Sequence, residues 1–490
     1  MTGMTGDGTS RRHHRTFDAG NAMTHTDEAG PVQGTPTGAA SRLAAARLNR
    51  RRLLGLAGSA ALVAGTGTWA GRVLYPEQVA AAAGAPPNLY LGGTDGWIHL
   101  PPTPAIAPFH PDNLAPPGLT TYIFGFRNVT GMTDAQRLGQ KNKAQHSAPL
   151  FWVDQYDGNT ANEFRVQLTN LGLALRPDLF DAHTLHWHGF RNVIPFFDGE
   201  PSGSVSVRAG SEFTYVYRPR DPGTYMYHCH VEDVEHVHMG MTGLVFVRPL
   251  QDGQSKTHDG RTFTRFLYND GDGSTGFDRE FAMFLSEVWA EAHWADAHIQ
   301  LPEWSDYRAD FALLNGRVYP DTIAPNGPSV DAFTTGVGVS YDADGDLIPP
   351  DGHPELQYQP QSSLVTCNAG ERVALRFSNL GFRESAMTMT GIRMRVVGRD
   401  ATPMRGRGGT DTSYETDTLN IGPGESYDVV FTAPPKTGAG YDTYYLYNRS
   451  LLRSNNLAPG GFGGQTTEIH VYASAVGPQA FPNDLGGVTA

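Results

Sequence analysis

Tyr227-His228-Cys229-His230-Val231-Glu232-Asp233-Val234-Glu235-His236-Val237-His238-Met239-Gly240-Met241 lies near the middle of the chain. His183-Thr184-Leu185-His186-Trp187-His188-Gly189 precedes it by some forty residues. Together the two segments hold seven histidines, one of only two cysteines and a methionine placed shortly after the last imidazoles. Histidine and cysteine at this density and spacing predict a metal centre.

The donor types name the metal. Two imidazoles, a thiolate and a weak axial thioether suit an electron-transfer copper, because soft sulfur favours the cuprous ion while imidazole serves both oxidation states. Cys229, His236 and Met241 supply three of these donors from one loop, and His183 is the natural fourth. Successive side chains of a strand point to opposite faces, so the Cys229 thiol and its flanking imidazoles face apart. His228 and His230 therefore serve a second site, for which His186 and His188 are the partners.

These segments resemble the paired copper motifs of multicopper oxidases. That family writes His-x-x-His-x-His-Gly, matched by His183, His186, His188 and Gly189, and then His-Cys-His, a spacer, His and Met. The spacer between His230 and His236 is two residues longer than in common three-domain laccases. Carried over, the resemblance implies type 1 copper at His183, Cys229, His236 and Met241. It also implies half of a trinuclear cluster at His186, His188, His228 and His230, with Cys229, His228 and His230 carrying electrons between the sites. The implied fold is all-β, with two cupredoxin-like Greek-key barrels.

Composition agrees with an all-β chain. At 490 residues, with 58 glycines and 34 prolines, the sequence is too long for one core and rich in turns. A formal net charge of -13 argues against nucleic acid or an anionic membrane as partner. The organisation expected is a leader over 1–85, a copper-bearing domain over 86–250, a linker over 251–261, a second domain over 262–475 and a tail over 476–490. In the leader, Asn49-Arg50-Arg51-Arg52-Leu53-Leu54 and the weakly apolar stretch to Ala70 resemble a twin-arginine export signal, with small residues from Val79 to Ala85 as the cleavage region. That stretch is short and poorly hydrophobic for an anchor. Met23 is an alternative start, and His13 and His14 read as incidental.

Residues outside the motifs carry weaker signals. Glu232, Asp233, Glu235 and His238 are expected on a solvated loop, and the sequence from Pro325 to Gln361 on a long surface loop, with a lid or an interface element as its candidate roles. Cys367, in the strand-like Leu364-Val365-Thr366-Cys367, has no partner and is expected as a buried, inert thiol.

The two halves repeat. Glu163–Gly172 parallels Glu371–Gly381; laying Gly189 on Gly391 sets His183, His186 and His188 opposite Ser385, Thr388 and Thr390. Tyr227-His228-Cys229-His230 then falls opposite Tyr447-Asn448-Arg449-Ser450. In the family, a second domain supplies the other four imidazoles; here it supplies none, and His293, His298, His353 and His470 match no motif. A homo-oligomer repeats the same gap.

Three readings follow. The first is a copper oxidoreductase in which a phenolic or metal-ion reductant is oxidised near His236 and O2 is the candidate acceptor. The second resembles copper nitrite reductases, with His188 and His228 as type 2 ligands, although no third histidine is evident and His186 stands where those enzymes carry Asp. The third is an exported type 1 copper carrier or copper-binding protein without oxidase activity. Related two-domain copper proteins are often trimers, so a homotrimer is expected.

Overall fold

The computed structural model describes residues 85–103, 114–328, 341–454, 456 and 462–488. The export-signal reading, Met23, His13 and His14 lie outside these residues. No helix among them is long and apolar enough to cross a membrane.

The first half holds β1 (Leu89–Ile98), β2 (Thr121–Asn128), the short helix α1 (Asp134–Leu138), β3 (Phe151–Asp154), β4 (Phe164–Gly172), β5 (His186–His188), β6 (Glu212–Tyr217), β7 (Gly223–His228), helix α2 (Asp233–Met239) and β8 (Thr242–Arg248). Two sheets, β2-β1-β4-β6 and β3-β8-β7-β5, enclose a core. β1 runs parallel to β4 and β3 to β8, while the other neighbours are antiparallel.

The second half begins with a hairpin, β9 (Lys256–His258) and β10 (Arg261–Phe263), turning through Asp259 and Gly260, both at positive φ. The segment 251–261 expected as linker thus includes a strand. Then follow β11 (Arg279–Val288), helix α3 (Ala290–Ala297), β12 (Phe311–Leu314), β13 (Val365–Asn368), β14 (Arg372–Asn379), β15 (Ser385–Met389), β16 (Met394–Arg399), β17 (Thr402–Pro403), β18 (Tyr414–Thr416), β19 (Thr418–Ile421), β20 (Ser426–Thr432), β21 (Tyr441–Asn448) and β22 (Thr466–Tyr472). Its sheets are β12-β11-β14-β20-β16-β17, with β18 beside β16, and β13-β22-β21-β15-β19. Parallel pairs β11·β14 and β13·β22 reproduce β1·β4 and β3·β8 of the first half. The chain is all-β with cupredoxin-like sheet order in both halves.

Strand alternation explains why the halves adhere. In β2, Tyr122, Phe124 and Phe126 enter the first core, while Ile123 turns outward to Val288, Phe311 and Leu313. In β11, Phe281, Met283 and Leu285 enter the second core, while Ala282 and Phe284 meet Leu244 and Phe246 of β8. Both strands are buried along their whole length. Charges cross the seam as well: buried Glu280 pairs with Arg248 at 2.7 Å and Arg376 at 3.0 Å.

The described part of Pro325–Gln361 is a mostly exposed or half-buried irregular segment, anchored where Leu347, Leu356 and Gln359 are buried and Gln359 bonds His99 and Gly316. One expectation is corrected. His238 does not lie on a solvated loop but is buried on α2, where its Nε2 accepts the Trp289 N–H at 3.0 Å. Glu232 and Asp233 are exposed, and Glu235 is half-buried. The segment is helical because its second half, His236 to Met239, is buried, while the charged residues of its first turn give no apolar pattern to read. Cys367 is buried on β13, where burial pushes its thiol up to about 12.

Candidate metal centre

Backbone hydrogen bonds lock the loop that carries three donors. Glu232, in left-handed conformation at φ 46°, opens α2, and Gly240 at φ 122° closes it. Met241 N–H donates to the His236 carbonyl at 2.9 Å, and the Met241 carbonyl accepts Cys229 N–H at 3.1 Å. His183 enters from another segment, bridged to Val207 by two 2.8 Å hydrogen bonds.

The result is a buried donor set. Cys229 Sγ lies 3.3 Å from His236 Nδ1, and donor atoms of His183, Cys229 and His236 all lie within 4.8 Å of one another. All three, and Met241, are fully buried. Gly93 of β1 places Met241 there: a Cβ on it would sit 2.9 Å from His183 Cδ2 and 3.3 Å from Met241 Cε. Both His183 ring nitrogens are buried without hydrogen-bond partners. Two imidazoles, a thiolate and a thioether with orphaned buried nitrogens fit copper. Burial opposes the Cys229 thiolate, but the His236 and His183 imidazoles outweigh it and hold the thiol well below its ordinary range. The ligand form of the sulfur is therefore favoured before metal arrives.

Sequence reading missed several supporting groups. Thr184 N–H points to Cys229 Sγ at 3.4 Å, and its Oγ1 accepts His230 N–H at 2.8 Å, so one residue spans both sites. Asp181 Oδ2 lies 3.5 Å from His236 Nε2, and Asp181, Glu232 and His236 form a second group with donor atoms within 4.8 Å. Phe124 packs edge-on against the His236 ring at 5.8 Å. Asp181 stands two residues before His183, a proximity that could have flagged it.

On the opposite face, His186, His188, His228 and His230 converge. Ring centroids lie 5.2 Å apart for His186 and His228, 5.1 Å for His186 and His230, and 5.6 Å for His188 and His228. Donor atoms of His186, His188 and His228 fall within 4.8 Å of one another; His230 is not in that tighter group. His186 Nδ1 donates to the Asp198 carbonyl at 2.7 Å, which leaves its Nε2 for a metal, and His228 Nδ1 donates to the Cys229 carbonyl at 2.8 Å, with its Nε2 3.4 Å from His188 Nδ1. Burial lowers the pKa of His186, His188 and His228, the last to about 3, so these imidazoles are neutral as ligands must be.

Register settles what the second half places opposite. His228 pairs with Thr242 on β8, and Tyr447 with Thr466 on β22. Ala386 N–H points at Asn448 Oδ1 at 3.3 Å as Thr184 N–H points at Cys229 Sγ. Asn448 N–H donates to the Gln465 carbonyl at 2.9 Å as Cys229 N–H donates to Met241. Ser385, Asn448 and Gln465 therefore stand for His183, Cys229 and Met241. Tyr447 and Arg449 stand for His228 and His230, which corrects the sequence pairing of Tyr447–Ser450 by one residue. Matching Tyr227 to Tyr447 was misleading, because core-facing Tyr227 corresponds to core-facing Leu446. Thr388 and Thr390 keep the places of His186 and His188. Where the first half gathers His183, Cys229 and Met241, the second has a closed network: Ser385 Oγ and Asn448 Nδ2 donate to Gln465 Oε1 at 3.0 and 2.8 Å.

The remaining second-half histidines have other partners. His293 Nδ1 bonds the Tyr122 carbonyl at 2.6 Å, His298 the Trp294 carbonyl at 2.7 Å, His353 Glu355 at 3.0 Å and His470 Glu468 at 2.7 Å. Among the described residues, none joins the imidazole cluster. From the second half, Gly424 approaches His188, where an added Cβ would lie 3.1 Å from Nε2.

Multicopper oxidase family profiles match residues 168–252 and 307–475, together just over half of the chain. The chain belongs to the multicopper oxidase superfamily, whose resident metal is copper. It is similar to multicopper oxidase MmcO of Mycobacterium tuberculosis (24% identity, 52% of this chain, 42% of that protein). It is also similar to copper resistance protein A of Pseudomonas syringae pv. tomato (25%, 53% and 38%). The matched region thus spans less than half the length of these curated relatives. Among solved structures, the multicopper oxidase mgLAC aligns at TM-score 0.48 and 20% identity, over 80% of this chain and 87% of that one. The blue copper oxidase from Nitrosomonas europaea aligns at 0.47 and 20%, over 78% and 85%.

Proposed function

We propose that this chain is a copper-dependent oxidoreductase, with type 1 copper held by His183, Cys229, His236 and Met241 and a second copper site among His186, His188, His228 and His230. The observation that carries the reading is the join between them. Cys229 faces the first donor set, while its neighbour His228 faces the second and bonds back to the Cys229 carbonyl at 2.8 Å. Copper would supply one-electron redox chemistry at both places. Cys229 and His228 provide a covalent path, shortened by that hydrogen bond, from the buried sulfur to the imidazole cluster.

Reductant reaches the first site from the side of Asp181 and Glu232. Their carboxylates stand beside His236 Nε2, and grouped acids favour a metal-ion reductant over a neutral phenol. Buried His183 and Met241 exclude water from the opposite side. At the second site the four imidazoles suffice for one or two metal ions; with Thr388, Thr390, Tyr447 and Arg449 in the corresponding places, the second half adds no imidazole. O2 is the candidate acceptor, and four-electron reduction to water lies beyond this chain's own ligands. Export by a twin-arginine signal and assembly as a homotrimer belong to the same proposal.

Copper analysis and oxygen uptake test it. The reading expects an intense blue band, more than one copper per chain, and oxygen consumption with ferrous or cuprous ion. One copper with no oxygen uptake supports the second reading instead, an electron-transfer or copper-binding protein, which the closed Ser385–Asn448–Gln465 network favours.

A further inference from the structure

Aromatic rings lead from the His236 imidazole to a separate cleft. Phe124 meets His236 at 5.8 Å, Tyr122 meets Phe124 at 5.7 Å and Trp97 meets Tyr122 at 5.3 Å. Trp97 lines a cavity of about 300 Å³ with Pro117, Leu119, Lys141, Lys143 and Tyr358. That volume lies in the range of small-molecule sites. Trp97, Tyr358 and the prolines give an aromatic ring apolar surface in an otherwise mixed lining, and Lys141 offers an ammonium to an acid group. Lys143 is engaged with Asp346.

The middle ring is equipped for proton-coupled oxidation. Tyr122 Oη–H donates to buried Asp95 Oδ2 at 2.8 Å, and the same oxygen accepts Ala174 N–H at 2.7 Å and Leu175 N–H at 2.8 Å. Asp95 is fully buried, so solvent does not compete for the phenolic proton. Phe124 has no proton to give and serves as the contact between Tyr122 and His236.

We propose that Trp97, Tyr122 and Phe124 form a second electron entrance, distinct from the acidic edge at Asp181, through which a carboxylated phenol in the Trp97 cleft reduces the first copper site. The proposal rests on the copper reading above. Copper held at His236 would be the one-electron acceptor; toward it Tyr122 would give up an electron as its Oη–H bond breaks and the proton passes to Asp95. The resulting phenoxyl takes an electron from Trp97 and its proton back from Asp95. Oxidised Trp97 takes one electron from the phenol in the cleft, which releases its proton to solvent as a phenoxyl radical. Net, one phenol would lose one electron and one proton, with copper as the one-electron acceptor.

Two measurements on the full chain decide it. In the copper-loaded protein, stopped-flow bleaching of the blue band by syringate is expected to slow at least about tenfold in Tyr122→Phe and in Trp97→Phe, while bleaching by ferrous ion is unchanged. Lys141→Ala is expected to abolish the preference for syringate over neutral 2,6-dimethoxyphenol. In the copper-free chain, flash photo-oxidation by a ruthenium sensitiser is expected to give a tyrosyl signal in electron paramagnetic resonance. That signal should fall severalfold in Tyr122→Phe, and in Asp95→Asn it should lose its solvent isotope effect. Tyr122→Phe keeps the ring and its packing, and an intact blue band in each variant reports a folded site. Equal syringate rates in wild type and Tyr122→Phe, or a tyrosyl signal of unchanged size, overturn the relay. If no blue band forms, the copper reading fails by itself, and the copper-free radical measurement still decides the relay.

Discussion

Cys229 is the residue on which both sites depend, because its side chain and its carbonyl face different histidines. Cys229→Ser is expected to abolish the blue absorption, since the thiolate is the soft donor that defines a type 1 site. His186→Ala is expected to leave that band and lower the copper content, as His186 reaches only the second cluster. A variant of each, read by visible absorption and copper analysis, separates the two sites. Thr184 offers a subtler test: Thr184→Val removes the acceptor of His230 N–H and leaves that amide unpaired. A stability loss of about 1–3 kcal/mol is expected in chemical denaturation, with a shifted blue band if the Cys229 sulfur moves as well.

At the scale of elements, close approach of β1 to the donor set makes Gly93 decisive. Gly93→Ala would bring a Cβ to 2.9 Å from His183 Cδ2. The expected outcome is a weakened or shifted blue band with little change in far-ultraviolet circular dichroism, because the strand itself tolerates alanine. The convergence of the histidines with Cys229, the β-strands around Thr121 and Phe164 and the repeat of β4 in β14 were legible because they rest on local signals: motif spacing, alternation and repeated turns. α2 was not legible. Its charged first turn reads as a loop, and only packing of Val237, His238 and Met239 beneath it makes a helix. The one-residue slip between β7 and β21 arose for a related reason, since tyrosine identity says nothing about which face a strand residue takes. Gly93 and Asp198 come from separate segments and meet the site only through tertiary folding.

Across the whole molecule, the seam between halves holds three buried histidines that carry a pH dependence. Burial pushes His146 down to about 3 and His293 to about 4, and holds His238 well below its ordinary range. Their folded values lie below the unfolded value near 6.5, so the unfolded chain binds more protons. The stability they contribute is complete above about pH 6.5 and is lost as pH falls toward 4 and 3, on the order of a few kcal/mol per imidazole. Denaturant midpoints at pH 7 and pH 4.5 are expected to show that loss, and His146→Gln to reduce it. Seam charges have the opposite character. Asp428 accepts Thr224 and Tyr268 hydroxyls and faces Arg376, so Asp428→Ala should cost about 3–5 kcal/mol by leaving buried partners unmatched.

The central claim is one complete type 1 site in the first half and none in the second, where Ser385, Asn448 and Gln465 hold the corresponding places. Quantitative electron paramagnetic resonance of the copper-loaded chain tests it most directly. One type 1 copper spin per chain is predicted; no such signal, or two per chain, would contradict the account.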